Sequence, residues 1–256
     1  MGVATVVGYV SEWALPMGAS FAGLMATMVI VRICVGREKG FLIATATQAF
    51  LHALIVSPIA VRALFELYSS SSAISCDAPS SILTNPIPDA GHLACAITCG
   101  YFISDTTVML AFPTTYQREW GKGSAYYIML MHHIVSLLVW PTSMSHRAGA
   151  FFVVYFLSTE VTNIGQNAFM LADRTGSSAT LPIGVTWMLS FFVVRILPIP
   201  LLLYMYAMNL RSDCPMPLWI RGTAAITLPV PLALNAYWFS KMVAKAMRRA
   251  ARTKGA

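Results

Sequence analysis

Long apolar stretches alternate with short polar connections along this 256-residue chain. Each stretch reaches about the 20 residues that an α-helix needs to cross the hydrocarbon core of a bilayer. Helices are the expected form because a backbone exposed to lipid must satisfy its own hydrogen bonds. The pattern predicts seven membrane spans, at 14–36, 41–64, 91–112, 124–141, 148–171, 184–209 and 217–240.

The composition is that of a membrane protein. Hydrophobic residues make up 57% of the chain and charged residues 11%, which is roughly half the charged fraction of a soluble domain. The predicted spans occupy most of the chain, so we expect an all-α transmembrane bundle without a separate soluble domain. We expect no bound metal and no resident cofactor.

Basic residues predict how the chain is oriented. The C-terminal tail carries six of them and no acid: Lys241, Lys245, Arg248, Arg249, Arg252 and Lys254. The positive-inside rule places this tail in the cytosol, and seven spans then place the N-terminus on the opposite side. The net charge of +7 comes mostly from the tail, which predicts a weak attraction to anionic lipid. We expect no nucleic-acid binding, because no basic, aromatic-interleaved domain accompanies the tail.

The five cysteines divide by position. Cys76 and Cys214 both fall in connections predicted to lie on the outer side, where an oxidising compartment allows a disulfide. Two unpaired thiols fit these positions equally well. Cys34, Cys95 and Cys99 lie within spans, and we interpret them as small apolar packing residues.

Two adjacent histidines, His132 and His133, lie inside the apolar run from Tyr126 to Trp140. Ionisable groups inside a membrane are costly unless they face a partner or a cavity, so they are functional candidates. Neighbouring helix positions point about 100° apart, so the two rings need two sets of partners. Helical spacing places Tyr126, His133, Ser136 and Trp140 on one face.

Polar residues of the other spans are predicted to lie at a similar depth. A rise of about 1.5 Å per residue places both Asp105 and the histidine pair roughly 12 Å from the cytosolic end. Tyr101 lies one turn before Asp105. Five further polar residues are estimated to lie between mid-membrane and the cytosolic edge: Glu160, Asn163, Asn167, Arg195 and Asn235. We infer a bundle with a polar interior, or a cavity open toward the cytosol.

Each of these residues also has a structural interpretation. Glu160 and Arg195 are expected to pair across the bundle, as a packing clamp more than as catalytic machinery. The three asparagines are interpreted as hydrogen bonds between helices. Asp105 either accepts a hydrogen bond from a neighbouring tyrosine or histidine or takes part in a reaction.

Five motifs in order along the chain resemble the TLC domain. They are Gly100-Tyr101-Phe102-Ile103-Ser104-Asp105, His132-His133, Phe156-Leu157-Ser158-Thr159-Glu160-Val161-Thr162-Asn163, Arg195, and Asn235-Ala236-Tyr237-Trp238-Phe239 with Lys241. The resemblance divides the chain into an N-terminal segment with one helix (1–40), a TLC-like domain (41–245) and a basic tail (246–256). It implies six helices around a cavity, and an endomembrane location such as the endoplasmic reticulum, with an organellar inner membrane as the alternative.

The resemblance also limits the function. In ceramide synthases, which belong to this family, the histidine pair is part of an acyl-transfer site with an acidic motif downstream. This chain has no Asp or Glu between His133 and Glu160, and His146 is followed by Arg147. It therefore resembles the small TLC-domain branch, whose members are tied to lipid composition and trafficking.

Three functions follow. The first is lipid handling in membrane lipid homeostasis, in which the cavity holds an acyl chain or a sphingolipid-like molecule and the polar residues hold its head. The second is an acyltransferase with acyl-CoA as co-substrate. His133 would act as general base or acyl acceptor beside His132, with Asp105 orienting a ring, for a gain of roughly 10²–10⁴ in rate. The third is a structural subunit with membrane-protein partners or in a homo-oligomer. A seven-helix receptor is a weaker fourth interpretation.

Overall fold

The computed structural model describes residues 3–74, 76, 78, 80–120, 123–146, 149–211 and 218–254. These residues are almost entirely helical, so the predicted all-α class is confirmed. The helices are α1 (Val3–Val35), α2 (Arg37–Ser69), α3 (Asp89–Ala111), α4 (Pro113–Trp120), α5 (Ser124–His146), α6 (Ala150–Ser158), α7 (Val161–Arg174), α8 (Thr180–Phe191), a π-helical turn (Phe192–Ile196), α9 (Ile199–Asn209), α10 (Leu218–Thr227) and α11 (Pro229–Lys254).

Several helices are long and apolar enough to cross a membrane. Within the described ranges there are five such segments, at Glu12–Val35, Gly40–Ser69, Asp89–Ala111, Ser124–Ser145 and Thr180–Asn209. They coincide with the first, second, third, fourth and sixth predicted spans. The chain is therefore an integral membrane protein that crosses the bilayer several times, and the count of seven stays a prediction.

The fifth and seventh predicted spans are each divided into two helices. Between α6 and α7, a turn at Thr159 and Glu160 interrupts the helix. Here the Thr159 hydroxyl donates to the Phe156 carbonyl at 2.7 Å and the Thr162 hydroxyl to the Thr159 carbonyl at 2.9 Å. Such bonds to the preceding turn compete with regular helix geometry. Between α10 and α11, the break falls at Leu228 because a residue before proline disfavours the helical conformation.

Helix α6 lies at the centre of the bundle, where α2, α3 and α5 surround it. Its large side chains are almost all buried, with Phe152 and Leu157 no more than 1% exposed. Helix α1 packs on α2 and α3, yet only 11% of its most apolar segment is buried. We infer that the rest of α1 faces lipid.

The packing of α1 against α3 depends on a glycine. A Cβ at Gly100 would clash with the backbone oxygen of Met17 and crowd the Ser20 side chain. The Ser20 hydroxyl donates to the carbonyl of Ile97 at 2.8 Å across the same contact. Small residues allow helix backbones to approach this closely inside a membrane.

The cysteines only partly follow the sequence-based interpretation. Cys95 and Cys99 are buried in α3, as expected of packing residues, but Cys34 is exposed near the end of α1. The interpretation of Cys34 was therefore wrong, because α1 is a peripheral helix and Cys34 lies on its exposed side. Cys214 lies outside the described residues, so its pairing with Cys76 stays an expectation.

Candidate functional site

Asp105 on α3 lies beside His133 on α5, as their common depth predicted. The Asp105 Oδ2 atom is 3.6 Å from His133 Nδ1, and it accepts a hydrogen bond from the Tyr116 hydroxyl at 3.1 Å. All three side chains are buried. The carboxylate therefore joins α3, α4 and α5 in a packed region that excludes lipid.

The two adjacent histidines have different surroundings. His133 is 3% exposed and stacks on Phe102 with ring centroids 4.7 Å apart. His132 is half-buried and meets the same phenylalanine edge-on at 5.6 Å. Tyr126, His133, Ser136 and Trp140, which the helical spacing places on one face, are all buried, whereas His132 lies about 100° from His133 around the helix. As expected for adjacent helix positions, the two histidine rings have different sets of neighbours.

Arg195 fills the break between α6 and α7. It lies in the π-helical turn, a local insertion often found at functional sites. Its Nε donates to Thr162 Oγ1 at 2.7 Å and its Nη2 to the Thr159 carbonyl at 2.9 Å. Its Nη1 donates to Asn235 Oδ1 at 3.3 Å. The guanidinium thereby joins the α6–α7 break to α11 by adding donors to acceptors on both segments.

The predicted direct pair between Glu160 and Arg195 is replaced by a bridge. Asn163 Oδ1 accepts from Arg195 Nη2 at 3.3 Å, and Asn163 Nδ2 donates to Glu160 Oε2 at 2.7 Å. The direct pair was wrong because the guanidinium is already occupied by the break itself. Asn163 thus links Arg195 to Glu160 through two hydrogen bonds.

Sequence reasoning missed His52 on α2, which joins these two groups. Its ring is 1% exposed and stacks on Tyr101 with centroids 4.1 Å apart. His52 Nδ1 lies 3.7 Å from Glu160 Oε2, and Tyr101 also meets the ring of His133 at 6.1 Å. We call the set His52, Tyr101, Asp105, His133, Glu160, Asn163 and Arg195 the polar layer.

A signal for His52 was present in the sequence. Gln48 and His52 are four residues apart, so they share one face of an otherwise apolar span. Gln48 Nε2 donates to the Ser104 hydroxyl on α3. The periodicity argument that singled out Glu160 and Asn163 would have identified this pair as well.

Other predicted site residues lie apart from the polar layer. The Tyr126 hydroxyl donates to the Met109 carbonyl at 3.1 Å and fixes α5 against α3. Asn167 Nδ2 donates to the Asn163 carbonyl, one turn back on its own helix, at 2.8 Å. That bond lies within α7, so Asn167 differs from Asn163 and Asn235, whose amides bind a group on another helical segment.

An apolar cavity of about 340 Å³ lies between α5, α6, α10 and α11. Its volume falls within the roughly 300–1,000 Å³ of ligand pockets. Four of its lining residues, Met131, Val135, Ile226 and Val230, are exposed, so the cavity opens sideways between the helices. The polar side chains of its wall are His132, Ser136, Ser143 and Thr227.

Of the predicted site residues, only His132 and Ser136 line this cavity. None of the other predicted ionisable residues lines it: Asp105, His133, Glu160 and Arg195 pack elsewhere. A second cavity, of about 380 Å³, is lined by Glu12, Trp13, Asp89, His92 and their neighbours and by no predicted site residue.

Together, these features define a helical integral membrane protein with a buried polar layer beside a lateral apolar cavity. The family model for the TLC domain matches residues 43–244, well over half of the chain. The chain therefore belongs to the TLC-domain family, and the resemblance given by its motifs is confirmed. No individual curated protein matches the sequence significantly.

Proposed function

We propose that this protein binds a membrane lipid in the cavity between α5, α6, α10 and α11. The observation that carries the proposal is the mainly apolar wall, which opens between exposed apolar side chains and has the half-buried His132 on it. An apolar chain would occupy the cavity, and a polar head would form hydrogen bonds with His132 and Ser136. Lipid could then arrive from the bilayer without crossing water.

The size of the cavity indicates how much of a lipid it accepts. A volume of about 340 Å³ is near the lower limit for ligand pockets, which favours one acyl chain over two. An acyl chain or one chain of a sphingolipid-like molecule fits this space. Trp140 and Phe156 belong to the wall and provide large apolar surfaces for such a chain.

The polar layer has a supporting role in this proposal. His133 is held between Phe102 and Asp105 and does not line the cavity. These contacts stabilise the packing of α5 against α3 and take no direct part in lipid binding. We further propose a role in membrane lipid homeostasis in the endoplasmic reticulum with the basic tail in the cytosol, on the strength of the family and the distribution of basic residues.

Acyl transfer from acyl-CoA is the second candidate. It is favoured by the 3.6 Å separation of His133 Nδ1 and Asp105 Oδ2, because a carboxylate that orients an imidazole is typical of general-base sites. The missing downstream acids and the position of His133 away from the cavity favour lipid binding instead. The proposal therefore assigns His132 to the lipid and His133 to the scaffold.

Mass spectrometry of lipid that co-purifies with the full chain tests the proposal. Ala224 is buried and lines the cavity, whereas its neighbour Ala225 does not. Ala224→Phe should reduce bound lipid per protein several-fold, and Ala225→Phe should leave it close to wild type. Equal lipid in both variants would contradict the proposal.

An activity assay on the same preparations separates the two candidates. Purified wild type is incubated with acyl-CoA and candidate acceptors, and His133→Ala is measured beside it. Bound lipid without turnover supports lipid binding. Turnover that disappears in His133→Ala would replace lipid binding with acyl transfer as the function.

A further inference from the structure

Two imidazole–carboxylate pairs face each other across Tyr101. His52 Nδ1 lies 3.7 Å from Glu160 Oε2, and His133 Nδ1 lies 3.6 Å from Asp105 Oδ2. Both Nδ1 atoms are buried, and neither makes a hydrogen bond with any described residue. Buried polar atoms are usually paired, so the protonation of these groups needs an explanation.

The neighbours of His52 determine its tautomer. The Thr98 hydroxyl lies 2.8 Å from the Ala94 carbonyl oxygen, which only accepts, so the single hydroxyl proton is directed there. His52 Nε2 lies 3.1 Å from the same hydroxyl oxygen and must donate to it. In a neutral ring the proton is therefore on Nε2, and Nδ1 presents a lone pair toward Glu160.

The neighbours of Glu160 determine what its carboxyl group presents in return. A guanidinium only donates, so Arg195 fixes the amide of Asn163 with its oxygen toward Arg195 and its nitrogen toward Glu160. Glu160 Oε2 accepts from that nitrogen at 2.7 Å. The oxygen nearest His52 is thus an acceptor, and it faces the acceptor lone pair of His52 Nδ1.

A proton between these two atoms resolves the conflict. We propose that His52 and Glu160 form a proton-binding site, which takes up one proton between His52 Nδ1 and Glu160 Oε2. The proton comes from water and is returned to water, with no other bond made or broken. The 3.7 Å gap would shorten by about 0.8–1.0 Å to reach the usual length of a charge-assisted hydrogen bond.

The net charge of the polar layer also favours the uptake of one proton. With both histidines neutral, Arg195 contributes one positive charge and Glu160 and Asp105 one negative charge each. Net charge inside a membrane is costly. One added proton makes the layer neutral. We place it between His52 and Glu160 because the Thr98 hydroxyl sets the tautomer of His52 and turns the Nδ1 lone pair toward the carboxylate.

The groups that face this site come from every neighbouring element. Tyr101 and Asp105 face it from α3, His133 from α5, and Arg195 acts through Asn163. The bound proton would form a hydrogen bond between His52 on α2 and Glu160 at the break between α6 and α7. The site is independent of the lipid cavity, whose wall includes neither His52 nor Glu160.

Nitrogen NMR of the full chain in lipid nanodiscs, with ¹⁵N-labelled histidine, tests the proposal. The chain has five histidines, and loss of one signal in His52→Gln assigns His52. Wild type should keep Nε2 protonated between about pH 5 and 9 and should show a second proton bound at Nδ1 or at the carboxyl group, the latter seen as a carboxylic-acid infrared band. Glu160→Gln should remove that band and the second proton.

Thr98→Val is the sharpest variant because it removes the acceptor that determines the tautomer. His52 should then move its proton to Nδ1 and donate to an ionised Glu160 without taking up a proton. Thr107→Val is the matched control, since Thr107 donates to the Ile103 carbonyl in the same way but lies on the exposed side of α3. A neutral His52 beside an ionised Glu160 at every pH in wild type would overturn the proposal, and so would a neutral His52 protonated on Nδ1.

Discussion

The two sides of helix α5 differ in almost every property although adjacent residues define them. On one side, His133 is 3% exposed and is held by Phe102 and Asp105. On the other side, the half-buried His132 borders an apolar cavity of about 340 Å³. Residues that are neighbours in sequence therefore belong to two environments, one that holds helices together and one with room for a ligand.

This difference shows that two adjacent histidines need not belong to the same site. A reaction centre built from both rings would require them to face one space. Here the ring centroids of His133 and Phe102 lie 4.7 Å apart in the packed interior. Of the two histidines, His132 alone lines the cavity. The comparison can be tested by variants that disturb one side and leave the other unchanged.

The largest effect is expected for Arg195→Met in the packed polar layer. It removes four hydrogen bonds, to Thr162, Thr159, Asn163 and Asn235, which join the helix break to neighbouring segments. We expect a loss of roughly 3–5 kcal/mol in the free energy of unfolding. Unfolding of the purified protein in mixed micelles by a denaturing detergent measures it.

Arg62→Met is the matched control for this experiment. Arg62 is an exposed arginine whose ion pair is with Glu66, four residues on along the same helix. Such a pair contributes little to stability, so its loss should leave the unfolding transition where it is. Equal destabilisation by the two variants would show that the polar layer does not hold the helix break.

The next effect separates the two histidines directly. His133→Ala should lower the free energy of unfolding by roughly 1–3 kcal/mol, because Asp105 loses its neighbour and Phe102 its stacking partner. His132→Ala should leave stability nearly unchanged and reduce the co-purified lipid. Both variants are measured by detergent unfolding and by lipid mass spectrometry. If His133→Ala alone lost bound lipid, the assignment of His132 to the lipid and His133 to the scaffold would be wrong.

A smaller effect is expected from the contact between Asp105 and Tyr116. A double-mutant cycle with Asp105→Asn and Tyr116→Phe isolates their hydrogen bond of 3.1 Å. Hydrogen bonds between membrane helices average about 0.6 kcal/mol and reach about 1.7 kcal/mol, so the coupling free energy should fall in that range. The lipid content should stay constant in all four proteins, and a fall in any of them would connect Asp105 to the cavity.

The contact of Asp105 with His133 shows what could be predicted from the sequence. Depth along a helix follows from counting residues, so their common level was predictable, as were the helical class and the buried face of α5. Helix breaks and partners were less predictable. Arg195 binds the break at Thr159, and the sequence pattern treats 148–171 as continuous because its apolar residues run through the break.

The cavity shows the remaining limit. Its wall combines α5 and α6 with α10 and α11, which are distant along the chain, and such long-range packing leaves no periodic signal in one helix. His52 is a different case, since its spacing from Gln48 was visible but its polar partners lie on α3 and beside the α6–α7 break. A polar face can be read from one helix, whereas its partners require the fold.

The smallest effect is expected for Asn167→Ala, although Asn167 is 3% exposed. Its hydrogen bond is to the Asn163 carbonyl on its own helix, and alanine is the better helix former by several tenths of a kcal/mol. The two contributions oppose each other, so the free energy of unfolding should change by less than about 0.5 kcal/mol. Asn163→Ala is the matched comparison on the same helix face, and it should cost more because Asn163 joins Arg195 to Glu160. If detergent unfolding showed Asn167→Ala to be the more harmful of the two, the polar layer would have to extend one turn further along α7 than its hydrogen bonds indicate.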